Sequence, residues 1–73
     1  MTQETFDIIL KEIKEFAVNK HVDLTLYFRN GKEQSIIIQN IRWARNGVLS
    51  LSMRECDMMI SIDSIDAVGY YDY

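Results

Sequence analysis

Residues 22–41 read VDLTLYFRNGKEQSIIIQNI, and this stretch predicts a β-hairpin. In its first half, apolar residues occupy every second position, which places them on one face of a strand and the intervening residues on the other. Asn30 and Gly31 tolerate positive φ, so they favour a tight type I′ turn. Three successive isoleucines at positions 36–38 are typical of a strand that is covered on both faces or bent. The second strand of the hairpin is therefore expected to be central in its sheet.

Residues 2–19 predict one amphipathic helix before the hairpin. Apolar side chains recur at the i, i+3, i+4, i+7 spacing of one helical face, while charged side chains mostly occupy the other. Thr2 is a suitable N-cap, and Asn19 favours the end of the helix. In a small domain such a helix is expected to cover an apolar sheet face.

Three further strands are predicted after the hairpin. Asn46-Gly47 repeats the turn chemistry of the hairpin, and the alternating residues that follow predict a strand over 48–54. A polar turn at residues 55–57 precedes a fourth strand over 58–63, and a fifth strand ends the chain. The expected fold is therefore α+β, with an N-terminal amphipathic helix packed on a strongly bent antiparallel five-stranded sheet or small barrel.

Length and composition indicate a single globular domain over residues 1–73. Hydrophobic residues make up 48% of the chain and charged residues 26%, and there is no linker-like stretch or internal repeat. No apolar run approaches the ~20 residues that span a bilayer, so a cytoplasmic protein without a membrane partner is expected. Cys56 is the single cysteine, which excludes an intrachain disulfide and a cysteine-rich zinc site.

Charge is divided along the chain, although the net charge is only -3. Residues 21–54 contain five basic and two acidic side chains, whereas residues 55–73 contain five acidic side chains and no basic one. This balance gives no general affinity for polyanions, but it allows a local basic surface in the middle strands. The acidic end suits a basic protein partner.

The sequence contains no catalytic or cofactor signature. There is no glycine-rich phosphate loop, no nucleophile with a spaced histidine partner and no cluster with metal-ligand spacing. His21 is the single histidine, and a loop or capping role is expected for it. Acidic neighbours disfavour a reactive thiolate at Cys56. We therefore expect a protein that is not an enzyme and that has no cofactor or metal site.

Two sets of residues are candidates for binding. The first is an acidic, tyrosine-rich end that is expected to bind a protein partner: Asp63, Asp66, Tyr70, Tyr71, Asp72 and Tyr73. The second is the alternative nucleic-acid set around the single tryptophan: Arg29, Lys32, Arg42, Trp43, Arg45 and Arg54. An exposed tryptophan between arginines stacks on a base or anchors a protein interface. Alternatively, Trp43 closes one end of the core and the arginines are solvated.

The order of elements, one helix and then five short strands, resembles the Sm-like (Hfq-like) small β-barrel. The resemblance is carried by residues 24–31 (LTLYFRNG), 46–49 (NGVL) and 62–68 (IDSIDAV). It implies rings formed by pairing the fourth and fifth strands of neighbouring subunits, and single-stranded RNA bound by loop residues around the pore. The sequence departs from the family in its second strand, which lacks the glycine that permits a strong bend, and at residues 59–63 (MISID), where a basic or glycine-containing RNA motif is expected.

Two functions are therefore expected as alternatives. The first is a non-catalytic protein-interaction module that acts as an adaptor or inhibitor of a protein partner, with self-association left open. In size and charge the chain is similar to small accessory and inhibitor proteins of mobile elements, such as anti-CRISPR proteins. The second is an Sm-like barrel that binds single-stranded RNA through Arg42, Trp43 and Arg45. The burial of Trp43 bears on both, because a fully buried indole offers no stacking platform.

Overall fold

A computed structural model describes residues 1–72 of the chain, so Tyr73 lies outside the described residues. The helix and strands are α1 (Gln3–Phe16), β1 (Val22–Phe28), β2 (Glu33–Ile37), β3 (Ile41–Arg45), β4 (Val48–Ser52), β5 (Asp57–Ser61) and β6 (Ile65–Asp72). Two single-turn 3₁₀ helices, Ile38–Asn40 and Ile62–Ser64, connect β2 to β3 and β5 to β6. The α+β class predicted from the sequence is confirmed.

The six strands form two antiparallel three-stranded sheets, with the orders β2-β1-β6 and β3-β4-β5. The predicted single five-stranded sheet or small barrel is therefore wrong. The second strand of the predicted hairpin, which was expected to reach Ile41, ends at Ile37. At this point the side chain of Asn40 takes the place of a strand partner for the backbone. The Asn40 Oδ1 accepts the N–H of Ile37 at 2.9 Å, and the Asn40 Nδ2 donates to the carbonyl of Ser52 at 3.1 Å. The sequence predicted that the second strand of the hairpin is central in its sheet, and this prediction is wrong: β2 is an edge strand, and β1 is the central strand.

The two asparagine–glycine turns differ in conformation. At the first turn only Gly31 has a positive φ, 85°, and its N–H donates to the carbonyl of Phe28 at 3.0 Å. The predicted type I′ turn is wrong there, because Asn30 uses its Oδ1 to accept the N–H of Lys32 at 3.0 Å and stays at negative φ. At the second turn Asn46 and Gly47 both have positive φ, 52° and 77°, as a type I′ turn requires.

The core lies between the inner faces of the two sheets and is closed by α1. The alternation of β1 is confirmed, because Val22, Leu24 and Leu26 are all buried. The strand β4 contributes two fully buried leucines at positions 49 and 51. The other buried apolar residues are Phe6, Ile13, Ile36, Ile62 and Ile65.

The helix α1 joins the two sheets as well as covering the core. Its N-terminus is capped by Thr2, whose hydroxyl accepts the N–H of Thr5 at 3.1 Å. The amide of Gln3 then contacts the second sheet: its Nε2 donates to the carbonyl of Ala44 at 3.2 Å, and its Oε1 accepts the N–H of Gly47 at 2.8 Å. The helix ends at Phe16, three residues before the predicted end.

Replacing Ile13 by alanine is expected to lower the free energy of unfolding by about 2–5 kcal/mol, because its side chain is only 1% exposed and the change leaves a cavity. Ile8 is 60% exposed on the same helix, so Ile8→Ala should change that free energy by less than about 0.5 kcal/mol. Urea denaturation followed by circular dichroism measures both. If Ile13→Ala does not fold, Ile13→Val should cost about 0.5–1.5 kcal/mol. Equal losses at the two positions would contradict the observed helix face.

Candidate functional site

The outer face of the first sheet is built by the residues that alternate with the core. Antiparallel pairing places Asp23 of β1 between Ile37 of β2 and Tyr71 of β6. Side chains of residues paired directly across strands lie on the same face of the sheet. We call this surface the tyrosine face, and it consists of Asp23, Thr25, Tyr27, Glu33, Ser35, Ile37, Ala67, Gly69 and Tyr71.

Three large side chains of the tyrosine face remain exposed to solvent. Tyr27 is 43% exposed, Ile37 is 41% exposed and Tyr71 is 54% exposed. The ring of Tyr27 lies against Gly69, where an added Cβ would be 3.2 Å from the Tyr27 Cε2. Glycine at position 69 leaves room for the ring, which therefore lies against β6. Within residues 1–72, the tyrosine face thus exposes two aromatic rings and one isoleucine on a single sheet surface.

The charges of the tyrosine face are acidic. Asp23 and Glu33 are its two charged residues, and the nine positions include no lysine or arginine. The hydroxyl of Tyr71 donates to the Asp23 Oδ2 at 3.2 Å. This hydrogen bond, together with the negative charge of Asp23, raises the pKa of the Tyr71 phenol above its ordinary value. Tyr71 therefore remains protonated and oriented toward Asp23 at neutral pH.

The structure separates the acidic and tyrosine residues that the sequence placed in one candidate surface. Tyr70 pairs with Leu24, so it lies on the opposite face of β6 from Tyr71, and its ring contacts the ring of Phe16 edge-on at 5.2 Å. Asp66 lies about five residues, or roughly 17 Å, along the strand from Tyr71. The other members of this set are Asp63, near Asp66, the exposed Asp72, and Tyr73, which lies outside the described residues.

Arg29 contacts both carboxylates at the far end of β6. Its guanidinium lies 3.8 Å from the Asp63 Oδ2 and 3.8 Å from the Asp66 Oδ1, and it donates to the Asp63 carbonyl at 2.7 Å. All three side chains are well exposed, so these ion pairs contribute little to stability. Arg29 offsets one of the two negative charges, so this end of the molecule carries a net charge of -1 and Arg29 does not belong to a basic surface.

Only three members of the predicted nucleic-acid set lie together. Arg42, Trp43 and Arg45 are consecutive or nearly so on the edge strand β3, where Trp43 is half-buried. The guanidinium of Arg45 lies 4.4 Å from the centre of the Trp43 ring, and the Arg42 Nη1 contacts the Asp57 Oδ2 at 3.3 Å. The remaining members lie elsewhere: Lys32 is in the β1–β2 turn, and Arg54 is in the β4–β5 loop.

The sequence analysis did not select Tyr27 or Ile37 as candidates. The alternation of β1 did place Tyr27 among the residues facing water, and an aromatic side chain at such a position was the available signal. Ile37 gave no signal, because three successive isoleucines indicate a strand that is covered on both sides. Only the pairing of Ile37 with Asp23 shows which of the three faces outward.

Other kinds of site find no support in residues 1–72. These residues include no group of three or more histidine, cysteine, aspartate or glutamate side chains that could hold a metal ion. Within the same residues, no helix has the length and apolar composition needed to cross a membrane. Comparison of the chain with protein-family models, with curated proteins and with solved structures gave no match. Function is therefore inferred from the surfaces of the molecule.

Asp23→Asn is expected to lower the pKa of Tyr71 toward its ordinary value near 10, because the substitution removes the negative charge next to the phenol. An NMR titration of the tyrosine ring carbons measures this pKa. Glu33→Gln, which removes the same charge elsewhere on the face, should leave it nearly unchanged. An unchanged titration of Tyr71 in Asp23→Asn would contradict the hydrogen bond.

The same interaction predicts a pH dependence of stability. Because the folded-state pKa of Tyr71 is raised, its contribution to stability is complete below the unfolded-state pKa of about 10 and is lost as pH rises through the folded-state value. The wild-type protein should therefore lose more stability than Asp23→Asn between about pH 9 and pH 12, as measured by urea denaturation at a series of pH values.

Proposed function

We propose that this chain is a non-catalytic protein-interaction module that acts as an adaptor or inhibitor of a protein partner. The observation that carries the proposal is the tyrosine face. Tyr27, Ile37 and Tyr71 lie exposed on one sheet surface, where burying them would otherwise stabilise the fold. Aromatic side chains in an uncovered cluster are typical of protein interfaces, whereas a scattered exposed apolar residue needs no explanation.

The two tyrosines are held in ways that favour binding. The ring of Tyr27 lies against Gly69, and the hydroxyl of Tyr71 is bonded to Asp23. Ordering a free side chain at an interface costs roughly 0.5–1.5 kcal/mol, so side chains that are already ordered lose less on association. Tyrosine also buries a large area with few rotatable bonds. These two residues are therefore the expected centre of the interface.

The charge of the tyrosine face indicates the class of partner. Asp23 and Glu33 give the face a negative charge, whereas Asp72 pairs with Val22 and lies on the opposite side of β6. A partner surface that presents lysine or arginine around an apolar centre is complementary to this arrangement. Attraction between such surfaces raises the association rate, and the effect weakens as salt increases.

The double variant Ile37→Asp/Tyr71→Ala is expected to lose the partner, because it removes two of the three large exposed side chains and adds a charge. Met59→Asp is a matched control, since Met59 is 69% exposed on the second sheet. Immobilised wild type and control should retain the same basic protein from a cell extract, in an amount that falls with salt, and the double variant should retain at least about ten-fold less. Equal recovery by all three proteins would contradict the proposal.

The second candidate function is an Sm-like, single-stranded RNA-binding protein. Two observations favour it: Arg42, Trp43 and Arg45 lie together, and Trp43 is not fully buried. In addition, β2 and β3 are separated by a 3₁₀ turn at the place where the resemblance implies a strong bend. Arg45 stacks on the indole and Arg42 pairs with Asp57, so a nucleotide would have to compete with both contacts.

Neutralising Arg42 and Arg45 tests this second candidate. If it is correct, wild-type protein binds oligouridylate at low salt, and Arg42→Gln/Arg45→Gln reduces both the affinity and its salt dependence. Lys32→Gln/Arg54→Gln removes the same charge away from Trp43 and should reduce affinity less. Fluorescence anisotropy measures binding, and sedimentation equilibrium shows whether a ring forms. Absence of binding at low salt would exclude this candidate.

A further inference from the structure

A groove between α1 and β3 is a second surface of the molecule, separate from the tyrosine face. Its volume is about 540 Å³. Its apolar lining comes from Leu10 and Val18 on the helix side and from Ile41, Trp43 and Ala44 on the strand side. We call this surface the α1–β3 groove. A smaller cavity of about 210 Å³ also includes Val18, so the groove continues past the end of the helix toward the first 3₁₀ turn.

The groove contains apolar side chains that lie outside the buried core. Val18 is 65% exposed, and Trp43 is half-buried although tryptophan is among the most apolar side chains. Neither residue belongs to the buried core. Covering both would remove apolar surface from water, which is the main favourable contribution to most protein associations. The groove therefore offers an apolar floor to an occupant.

The charges around the groove are predominantly basic. The basic side chains on its two cavities are Lys11, Lys14, Lys20 and Arg42, and the acidic ones are Asp7 and Glu15. The balance is +2, whereas the whole chain carries -3. Arg42 contacts Asp57, and the Asp7 Oδ1 accepts a hydrogen bond from the Gln3 Nε2 at 2.8 Å. Within the described residues Lys11 and Lys14 form no salt bridge, so their charges are available to an occupant.

The edge of β3 gives the groove a backbone surface as well. The strand order β3-β4-β5 leaves one side of β3 without a neighbouring strand, and this side borders the groove. An edge strand presents alternate N–H and C=O groups that a further extended segment can bond. The Ala44 carbonyl already accepts a hydrogen bond from Gln3. The rest of this edge suits a polypeptide better than a nucleic acid, which has no peptide groups.

We propose that the α1–β3 groove binds an acidic segment of a partner protein, with apolar side chains of that segment against Val18 and Trp43 and its carboxylates near Lys11 and Lys14. The site shares no residue with the tyrosine face and takes a partner of opposite charge. With both surfaces occupied, the chain joins a basic protein to an acidic one. This site is independent of the proposed function, so either surface can fail without the other.

The same surface is less suited to RNA. The guanidinium of Arg45 already stacks on one face of the Trp43 ring, so a base would have to displace it from that face. Asp7 and Glu15 lie within the groove and would repel a continuous line of phosphates. A polypeptide carries its charges at separate positions and can place neutral or basic side chains next to these two acids. RNA is therefore the alternative outcome of the experiment rather than the expected one.

The test begins with a random-peptide library displayed on phage and selected against the wild-type protein. Enriched sequences are expected to combine aspartate or glutamate with large apolar residues. One selected peptide is then synthesised and titrated, and Trp43 reports occupancy directly because it is the only tryptophan of the chain. The emission of Trp43 should shift to shorter wavelength as the peptide excludes water from the indole.

Two variants test whether the selected peptide binds in the α1–β3 groove. Lys11→Glu/Lys14→Glu should weaken binding at least about ten-fold through charge reversal. Val18→Asp should weaken it about ten-fold through loss of apolar contact and through repulsion. Ile8→Asp is the matched control, because Ile8 is equally exposed on α1 but does not line the groove, and it should change affinity less than about two-fold. Circular dichroism confirms that each variant is folded.

Three results would overturn the proposal. One is enrichment of no sequence, or of basic sequences, from the library. Another is equal affinity of the selected peptide for wild type, Val18→Asp and Lys11→Glu/Lys14→Glu. The third is binding of oligouridylate that quenches Trp43 and is lost in Lys11→Glu/Lys14→Glu, which would assign the groove to nucleic acid. None of these results bears on the tyrosine face, whose own variants lie on the other sheet.

Discussion

The side chain of Asn40 bonds the end of β2 in the first sheet to β4 in the second sheet. Its amide accepts the N–H of Ile37 and donates to the carbonyl of Ser52, so it satisfies backbone groups where β2 stops. The chain then passes through a single 3₁₀ turn and enters β3 in a different sheet. Both candidate surfaces lie next to this interruption. Ile37, the last residue of β2, lies on the exposed face of the first sheet, and the free edge of β3 lies beside α1.

The helix α1 contacts both sheets and closes the core between them. Its first residues are bonded to the β3–β4 turn through Gln3, and its last residue, Phe16, contacts Tyr70 of the first sheet. A helix held at both ends in this way closes the core between the sheets, and Tyr27, Ile37, Met59 and Tyr71 remain exposed on the outer faces of the sheets. In a chain of 73 residues one helix cannot cover both the core and an outer face. Exposed sheet surface is thus a consequence of size, and the proposal of a binding function rests on the two tyrosines that this surface exposes.

The distribution of charge in space differs from its distribution along the sequence. Arg29 belongs to the basic middle of the chain, yet it contacts Asp63 and Asp66 of the acidic end. Two of the four basic residues of the α1–β3 groove, Lys11 and Lys14, come from the helix, which has no net basic character. The acids of the tyrosine face come from β1 and β2, within the segment that is basic overall. Folding therefore creates two surfaces of opposite charge, and neither corresponds to a run of like charges in the sequence.

The elements with local signals could be predicted from the sequence. The period of two over residues 22–28, the Thr2 cap and the Asn46-Gly47 turn depend only on neighbouring residues, and all three are present. The tertiary structure alone decided the break after Ile37, because a run of isoleucines fits a continuous strand equally well and the bond from Asn40 to Ser52 joins residues 12 apart. It also decided which residues share a surface. Strand pairing brings Tyr27, Ile37 and Tyr71 together across up to 44 positions of the chain, and no local pattern encodes such a register.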